Sequence, residues 1–374
     1  MIGFKDIIGQ DEAVNRLRSA IRLGRLPHAL LFGGPVGVGR RTLAGALAGA
    51  VLCPNSASDE SIDACGRCED CRLLESGSHP DLHMIYKELA AHHPEATVRS
   101  SVMQELGVPI IRHFLISAAM QSPTRGKGKV FVVQEAELMS DVAQNALLKT
   151  LEEPPPGVII ILLCQRPEEL LPTTLSRCSM IRLGPLPRNL VAQRLVQAGA
   201  DEPQSRFWAD FTMGSLGESL RLAGKDLYQT KMEIVHRLAS MGRAGEGGLA
   251  DDLAKTMEKL AKQEVKDVKD RDGGDLSAKL ASRKSLAVML RLIACAYQDA
   301  MRLKGQPEGQ DVELVNSDQA QDIAAIAAKF TQRDLADIIE QLSEYERLLW
   351  RNVSPKLVWD NVVITCASAA PLVL

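Results

Sequence analysis

The apolar run Ala29–Phe32, ALLF, passes directly into a turn that holds Gly33, Gly34, Gly37 and Gly39, and then into the small-residue segment Thr42–Leu52, TLAGALAGAVL. A short apolar run bounded by turn residues reads as a strand buried on both faces, and the segment after the glycines reads as a helix. Strand, glycine turn and helix in that order form the opening half of a parallel crossover unit, which commits this part of the chain to an α/β layer structure. Three further runs have the same character: Leu82–Tyr86 (LHMIY), Val130–Val133 (VFVV) and Val158–Leu163 (VIIILL). A parallel sheet flanked by helices is therefore expected over residues 1–184. Beyond LGPLPRNL, Leu183–Leu190, strand signals give way to helical spacing. A small helical domain is expected over 185–226 and an all-α domain over 227–374.

The same turn has the spacing of a phosphate-binding loop. In such a loop, glycines let backbone N–H groups face the phosphates, a lysine reaches the terminal phosphates and a Ser or Thr hydroxyl holds magnesium. Gly34, Gly37 and Gly39 keep the backbone path, but Arg40 stands at the lysine position and Arg41 at the hydroxyl position. Thr42 comes one residue too late to replace that hydroxyl. A second magnesium ligand would be an acid closing a buried strand. In KVFVVQEAEL that place is Gln134, followed by Glu135. An amide has no charge to offer a dication, so both metal ligands are missing and metal-assisted hydrolysis is not expected. The loop is left with two readings, a tight glycine turn without ligand or a weak nucleotide site.

Cys53, Cys65, Cys68 and Cys71 lie within CPNSASDESIDACGRCEDC, two consecutive CxxC steps sharing Cys68 with a further thiol at the end of the preceding helix. Four thiolates can close a tetrahedral zinc shell with no open position, which is a structural rather than a catalytic arrangement. The alternative is a set of ordinary reduced or disulfide-paired thiols. HPDLH, His79–His83, reads as loop into strand, because four sulfurs already complete a metal shell. Cys164, Cys178, Cys295 and Cys366 stand in apolar surroundings and read as core or boundary residues.

DVAQNALLKTLEE from Asp141 reads as a helix. Asp141 is a plausible cap, Ala143, Ala146, Leu147 and Leu151 are on one face, Gln144, Asn145, Lys149 and Glu152 are elsewhere, and Pro154–Pro156 form the stop. LPTTLSRCSMIRL places Arg177 in a short polar turn after the fourth strand. An isolated arginine is ordinarily a surface ion pair. An arginine presented to another subunit's nucleotide has a different use, stabilising charge on a transferred phosphoryl group.

The 374 residues carry a net charge of −3 and only 4% aromatics. That balance argues against a strongly basic nucleic-acid binder and against a stand-alone base-stacking module. MIGFKDIIGQDEAV has charges and no long apolar run, so neither a secretory signal nor an anchor is read and a cytoplasmic site is expected. SLAVMLRLIACAYQDAMRL is interrupted by Arg291, Asp299 and Arg302 and reads as a buried helix rather than a membrane span. The charge-dense stretch from Gly242 to Asp275 reads as solvated helix faces. Helices are expected over Leu286–Leu303 and about Thr331–Arg351, the latter with a stripe of Leu335, Ile338, Ile339, Leu342, Tyr345 and Leu349.

Taken together, DIIGQDEAVNRLRSAIRLGRLPHALLFGGPVGVGRRT, the four-cysteine insertion, HPDLH, NALLKTLEEPPP and LPTTLSRC resemble the clamp-loader family of AAA+ proteins, and within it the delta-prime type. The resemblance covers roughly the first half of the chain. LLWRNVSPKLVWDNVVI is weakly similar to the family's helical collar. The resemblance implies an AAA+ domain, a helical lid and a collar, assembled in a ring with gamma/tau-type motor subunits and a delta subunit to load the sliding clamp on primer-template DNA. It implies little or no ATPase activity for a delta-prime-type subunit, and it implies that Arg177, within Ser176–Cys178, faces a neighbouring motor's nucleotide as an arginine finger. Motor subunits carry a lid arginine where GSLGESLRLA has Gly217, with Arg221 a turn later. The polar residue expected after the fourth strand has only Cys164 and Gln165 to fill it. The alternative within the family is an active ATPase motor that uses Arg40 and Thr42 in a shifted register. The spacing from Cys53 to Cys65, the KELAAHHPEATVRSSVMQELG segment and the charged 242–275 stretch are longer than the general delta-prime pattern.

Overall fold

The structure is a computed structural model and describes residues 3–56, 62–99, 105–126, 128–225, 227–242, 248–272, 277–306, 312–349 and 354–368. Five strands form one parallel sheet: β1 (Ala29–Gly33), β2 (Leu82–Ile85), β3 (Lys129–Val133), β4 (Val158–Cys164) and β5 (Ser179–Arg182), in the order β2-β3-β4-β1-β5. β1 lies between β4 and β5, with Phe32 opposite both Leu163 and Ile181. All five residues of β1 and of β3 are buried. Side chains alternate across the sheet, so each such strand serves two cores. Leu31, Phe131, Val133, Ile160 and Leu162 pack with Leu147 and Leu151 of the helix Asp141–Glu152. Leu30, Phe32, Val130, Val132 and Ile161 pack with Val14 and Leu17 of α1 (Asp11–Arg22) and Leu43 and Leu47 of α2 (Arg40–Leu52). Burial on both faces is what makes these strands continuous apolar runs.

Three expectations are corrected. β2 is not buried on both faces, because it is the edge strand and only Ile85 is fully enclosed. β5 escaped the sequence reading, since SMIR is short, ends in a polar residue and is only half-buried at the opposite edge. The cap of the helix Asp141–Glu152 is Ser140, whose hydroxyl accepts the Ala143 N–H at 3.3 Å, while Asp141 occupies the first turn. In that helix Gln144, read as lying off the apolar face, is buried at 1% exposed. The helix ends at Glu152, with Glu153 already non-helical before Pro154.

The chain divides into two compact units, Met1–Leu190 with Met213–Glu218, and Val191–Thr212 with Ser219–Leu374. Within the described residues the second unit is helical. Leu249–Asp272, the core of the charged stretch, turns Leu249, Leu253, Met257 and Leu260 inward and leaves charged residues such as Asp251, Asp252 and Lys255 in solvent, as read. The glycine-bearing segments 243–247 and 273–276 at its ends lie outside the described residues, as do 100–104 of the segment after β2. Ala278–Lys304 contains the most apolar run and is buried at Met289, Ile293, Ala296 and Tyr297. Among the described residues no helix is long and apolar enough to cross a membrane. Gln332–Leu348 buries Leu335, Ile338, Leu342 and Tyr345 beneath a Thr331 capping box; the expected continuation to Arg351 lies outside the described residues.

Candidate functional site

The glycine loop connects β1 to α2, and its turn requires glycine: φ is +150° at Gly34, +78° at Gly37 and +101° at Gly39, where α2 begins. Chain 213–218 lies directly against it. The Gly217 N–H donates to the Gly37 carbonyl at 2.9 Å, and the Ser215 hydroxyl donates to the Val36 carbonyl at 2.8 Å. A Cβ on Gly37 would come within 2.1 Å of Ser215 Oγ, so two backbones share a space only glycine leaves open. Gly217 is thus a packing residue of the loop. Arg221 pairs instead with Glu264 at 3.5 Å.

Arg40 is half-buried, and burial lowers its guanidinium pKa against the opposing pull, first, of Glu137. Glu137 was not singled out from the sequence. It accepts the Gln165 N–H at 3.1 Å, and its charge adds to the burial that pushes the Cys164 thiol up to about 12. The signal for it was present in QEAEL, an acid four residues past the strand end. Arg41 is exposed. Gln134 is held through its own N–H, which donates to the Ile85 carbonyl at 2.8 Å. Glu135 sits in the left-handed region at φ +49° and pairs with Lys87 at 3.2 Å. Arg41 thus offers no acceptor to a cation, and Gln134 offers only a neutral amide oxygen.

The four cysteines do fit a metal. Their sulfurs all lie within 4.8 Å of one another, with Cys53–Cys68 and Cys65–Cys71 each at 3.8 Å. A tetrahedron with zinc–sulfur bonds of about 2.3 Å has edges of about 3.8 Å. All four are free thiols rather than disulfides. Cys53 closes α2, and Cys68 caps α3 (Glu69–Glu75) by accepting the Cys71 N–H at 3.4 Å, while the Cys65 N–H donates to Cys53 Sγ at 3.4 Å. Backbone N–H groups of Arg67 and Cys68 draw the Cys65 thiol down to about 6; burial pushes Cys53 and Cys71 upward. If zinc is bound, these thiolates hold it and it supplies a structural cross-link.

The insertion is tied down on both sides. Asp63 accepts the N–H groups of Phe4 at 3.0 Å and Lys5 at 3.1 Å. Asp70 receives Arg125 at 2.6 Å and lies 3.4 Å from His79, and the Arg125 guanidinium holds its carboxyl below the usual carboxylate range. The Asp81 carboxylate accepts the N–H groups of Thr124 at 2.7 Å and Arg125 at 2.8 Å, and its own N–H donates to His79 Nδ1 at 3.1 Å. HPDLH is thus more than a loop into a strand. His79 and Asp81 form a buried polar bracket beside the cysteine cluster.

Arg177 follows the short helix Pro172–Leu175 and precedes β5. Its Nε donates to Glu152 Oε1 at 2.6 Å, one Nη donates to the same oxygen, and the other donates to the Thr173 carbonyl at 2.9 Å. Gln144 pins the start of this segment, accepting the Leu171 N–H at 2.9 Å and donating to the Met139 carbonyl at 3.1 Å. Burial pushes the Cys178 thiol up to about 12.

Two family models match the chain, one described as DNA polymerase III, delta subunit, over residues 9–187, the other as DNA polymerase III, delta subunit, C terminal, over 252–365. The chain is similar to DNA polymerase III subunit tau of Escherichia coli K12, 31% identical over 257 residues, a match covering 67% of this chain and 36% of that protein. It thus spans about a third of the length of the tau relatives. It is similar to subunit delta-prime of Bacillus subtilis 168, 25% identical over 359 residues and 95% of each chain. Against subunit delta-prime of Escherichia coli K12 it is 32% identical over 232 residues, 62% of this chain and 65% of that protein. Family models matching 9–187 and 252–365, together with a delta-prime relative aligned over 95% of each chain, show that the chain belongs to the DNA polymerase III delta-prime family.

Proposed function

We propose that this chain is a non-hydrolysing member of a replicative clamp loader, which completes a neighbouring ATPase by offering Arg177 and does no phosphoryl transfer of its own. The observation that carries this reading is the loop itself: Arg41 and Gln134 occupy both magnesium positions, while Gly217 and Ser215 hydrogen-bond the loop's carbonyls. A loop without its metal ligands does not lower the barrier to phosphate cleavage, but it retains value as a joint between β1, α2 and residues 213–218. Arg177 is on the surface in a short turn, 30% exposed and held by Glu152. Zinc on the four cysteines, gamma/tau-type motors and a delta subunit as neighbours, the sliding clamp and primer-template DNA as shared ligands of the assembled ring, and the cytoplasm as location belong to the same reading. So does the division at 184 and 226 into AAA+ domain, lid and collar.

The test is isothermal titration of the purified chain with ATP, with and without magnesium, beside a turnover assay. Absence of magnesium-dependent binding and of turnover is the expected result. Tight magnesium-dependent binding with turnover would instead establish a motor subunit and overturn the reading.

A further inference from the structure

Resting on the reading of Arg177 as a group that acts on a neighbour's nucleotide, we propose that Glu152 is its positioning residue, holding the guanidinium in the orientation it presents. A single carboxylate oxygen of Glu152 accepts from Nε and from one Nη, and the Thr173 carbonyl accepts from the other Nη. Nε and one Nη are thereby engaged along one edge and the other Nη is engaged by Thr173 and, at 3.5 Å, by Ser176 Oγ, which fixes the plane of the fork and leaves an N–H of the Nη beside Glu152 for an outside acceptor.

Both anchors are placed by one helix. Glu152 is the last residue of a 12-residue helix capped by Ser140 and buried at Ala143, Leu147 and Leu151. Thr173 belongs to the turn that Gln144 of the same helix grips through the Leu171 N–H. The helix therefore holds the arginine-bearing segment at both of its ends. The pair is itself surface-exposed, 30% for Arg177 and 47% for Glu152, and exposed ion pairs contribute little to folding. What the tie supplies is orientation: an arginine free to rotate about its side-chain bonds is rarely in the geometry that meets a developing phosphoryl charge.

The experiment measures ATP turnover, as kcat and KM, in the complete loader reconstituted from this chain, a delta subunit and gamma/tau-type motors with clamp and primed DNA. Arg177→Ala, Glu152→Ala, Glu152→Gln and the Arg177→Ala/Glu152→Ala double variant are compared, with assembly and thermal midpoint checked for each. Arg177→Ala is expected to lower kcat roughly threefold or more. Glu152→Ala is expected to lower it roughly twofold or more with KM and midpoint unchanged, because orientation rather than chemistry is lost. Glu152→Gln keeps an acceptor oxygen and should recover most of the loss, and the double variant should be no worse than Arg177→Ala alone. Normal or raised kcat for Glu152→Ala, or a double variant that multiplies the two losses, overturns the positioning role while leaving the arginine reading standing. Unchanged turnover in Arg177→Ala removes the arginine reading and this inference with it.

Discussion

The backbone N–H of Gly217 donates to the carbonyl of Gly37 at 2.9 Å, joining residue 217 to a phosphate-type loop some 180 positions earlier in the chain. A side chain at Gly37 is excluded by the surroundings of Gly217, and one at Gly217 would be a tight fit. A Cβ on Gly217 would lie 3.0 Å from the Gly37 carbonyl oxygen, and one on Gly37 would lie 2.1 Å from Ser215 Oγ. The shape of the loop thus has a packing use that needs no bound nucleotide or metal.

Gly37→Ala is accordingly expected to destabilise the chain by about 2–4 kcal/mol, combining a left-handed backbone with overpacking. Denaturant unfolding would measure it. A change within experimental error would mean that 213–218 is not held against the loop in solution.

Metal removal should loosen more than the cysteine insertion. Closed thiolate sites contribute folding free energy directly, so chelation or Cys68→Ser is expected to lower the unfolding midpoint of the first unit. Because Asp63, Asp70 and Asp81 connect the insertion to Phe4, Lys5, Thr124 and Arg125, amide exchange should accelerate at those four residues as well. Metal analysis of protein purified without chelator is the companion measurement. Absence of bound zinc, or unchanged exchange at the four amides, would sink the cross-link.

Cys366 makes a pH prediction. Its thiol is fully buried, and desolvation pushes it up to about 12, above the ordinary value of a free thiol. A folded pKa raised above the unfolded one gives stability that is complete below the unfolded value and is lost as pH rises through the folded value. The window therefore runs from about pH 9 to pH 12, with a slope of about 1.4 kcal/mol per pH unit for one group. Urea unfolding of wild type and Cys366→Ala at pH 8 and pH 10.5 checks it. The variant should be less stable at pH 8, from lost packing, yet lose less on going to alkaline pH. Equal losses would contradict the burial of this thiol.

Much of the site was legible from local pattern. Four of the five strands and the helix after the glycines follow from side-chain type and spacing over a few residues. The cysteine quartet is equally local, since CxxC steps bring sulfurs together through short turns. β5 was not legible because an edge strand needs no continuous apolar run. Ser140 was passed over for Asp141 because either residue type can cap, and only backbone geometry decides between neighbours. Gln144 was read as lying off the apolar face because its type is polar; it is buried because the Leu171 N–H and the Met139 carbonyl both satisfy it.

By itself the sequence determined the α/β class and the set of four clustered thiols, properties carried by residue chemistry at short range. Only the tertiary structure decided which partners those residues meet: Gly217 on Gly37, Asp63 on the amides of Phe4 and Lys5, Asp81 on the loop before β3, and Glu152 on Arg177. Each of these joins positions 25 or more apart in the chain. A hydrogen bond at that separation leaves no periodic signal, because it depends on where the sheet order and helix packing bring two backbones rather than on what lies beside either residue.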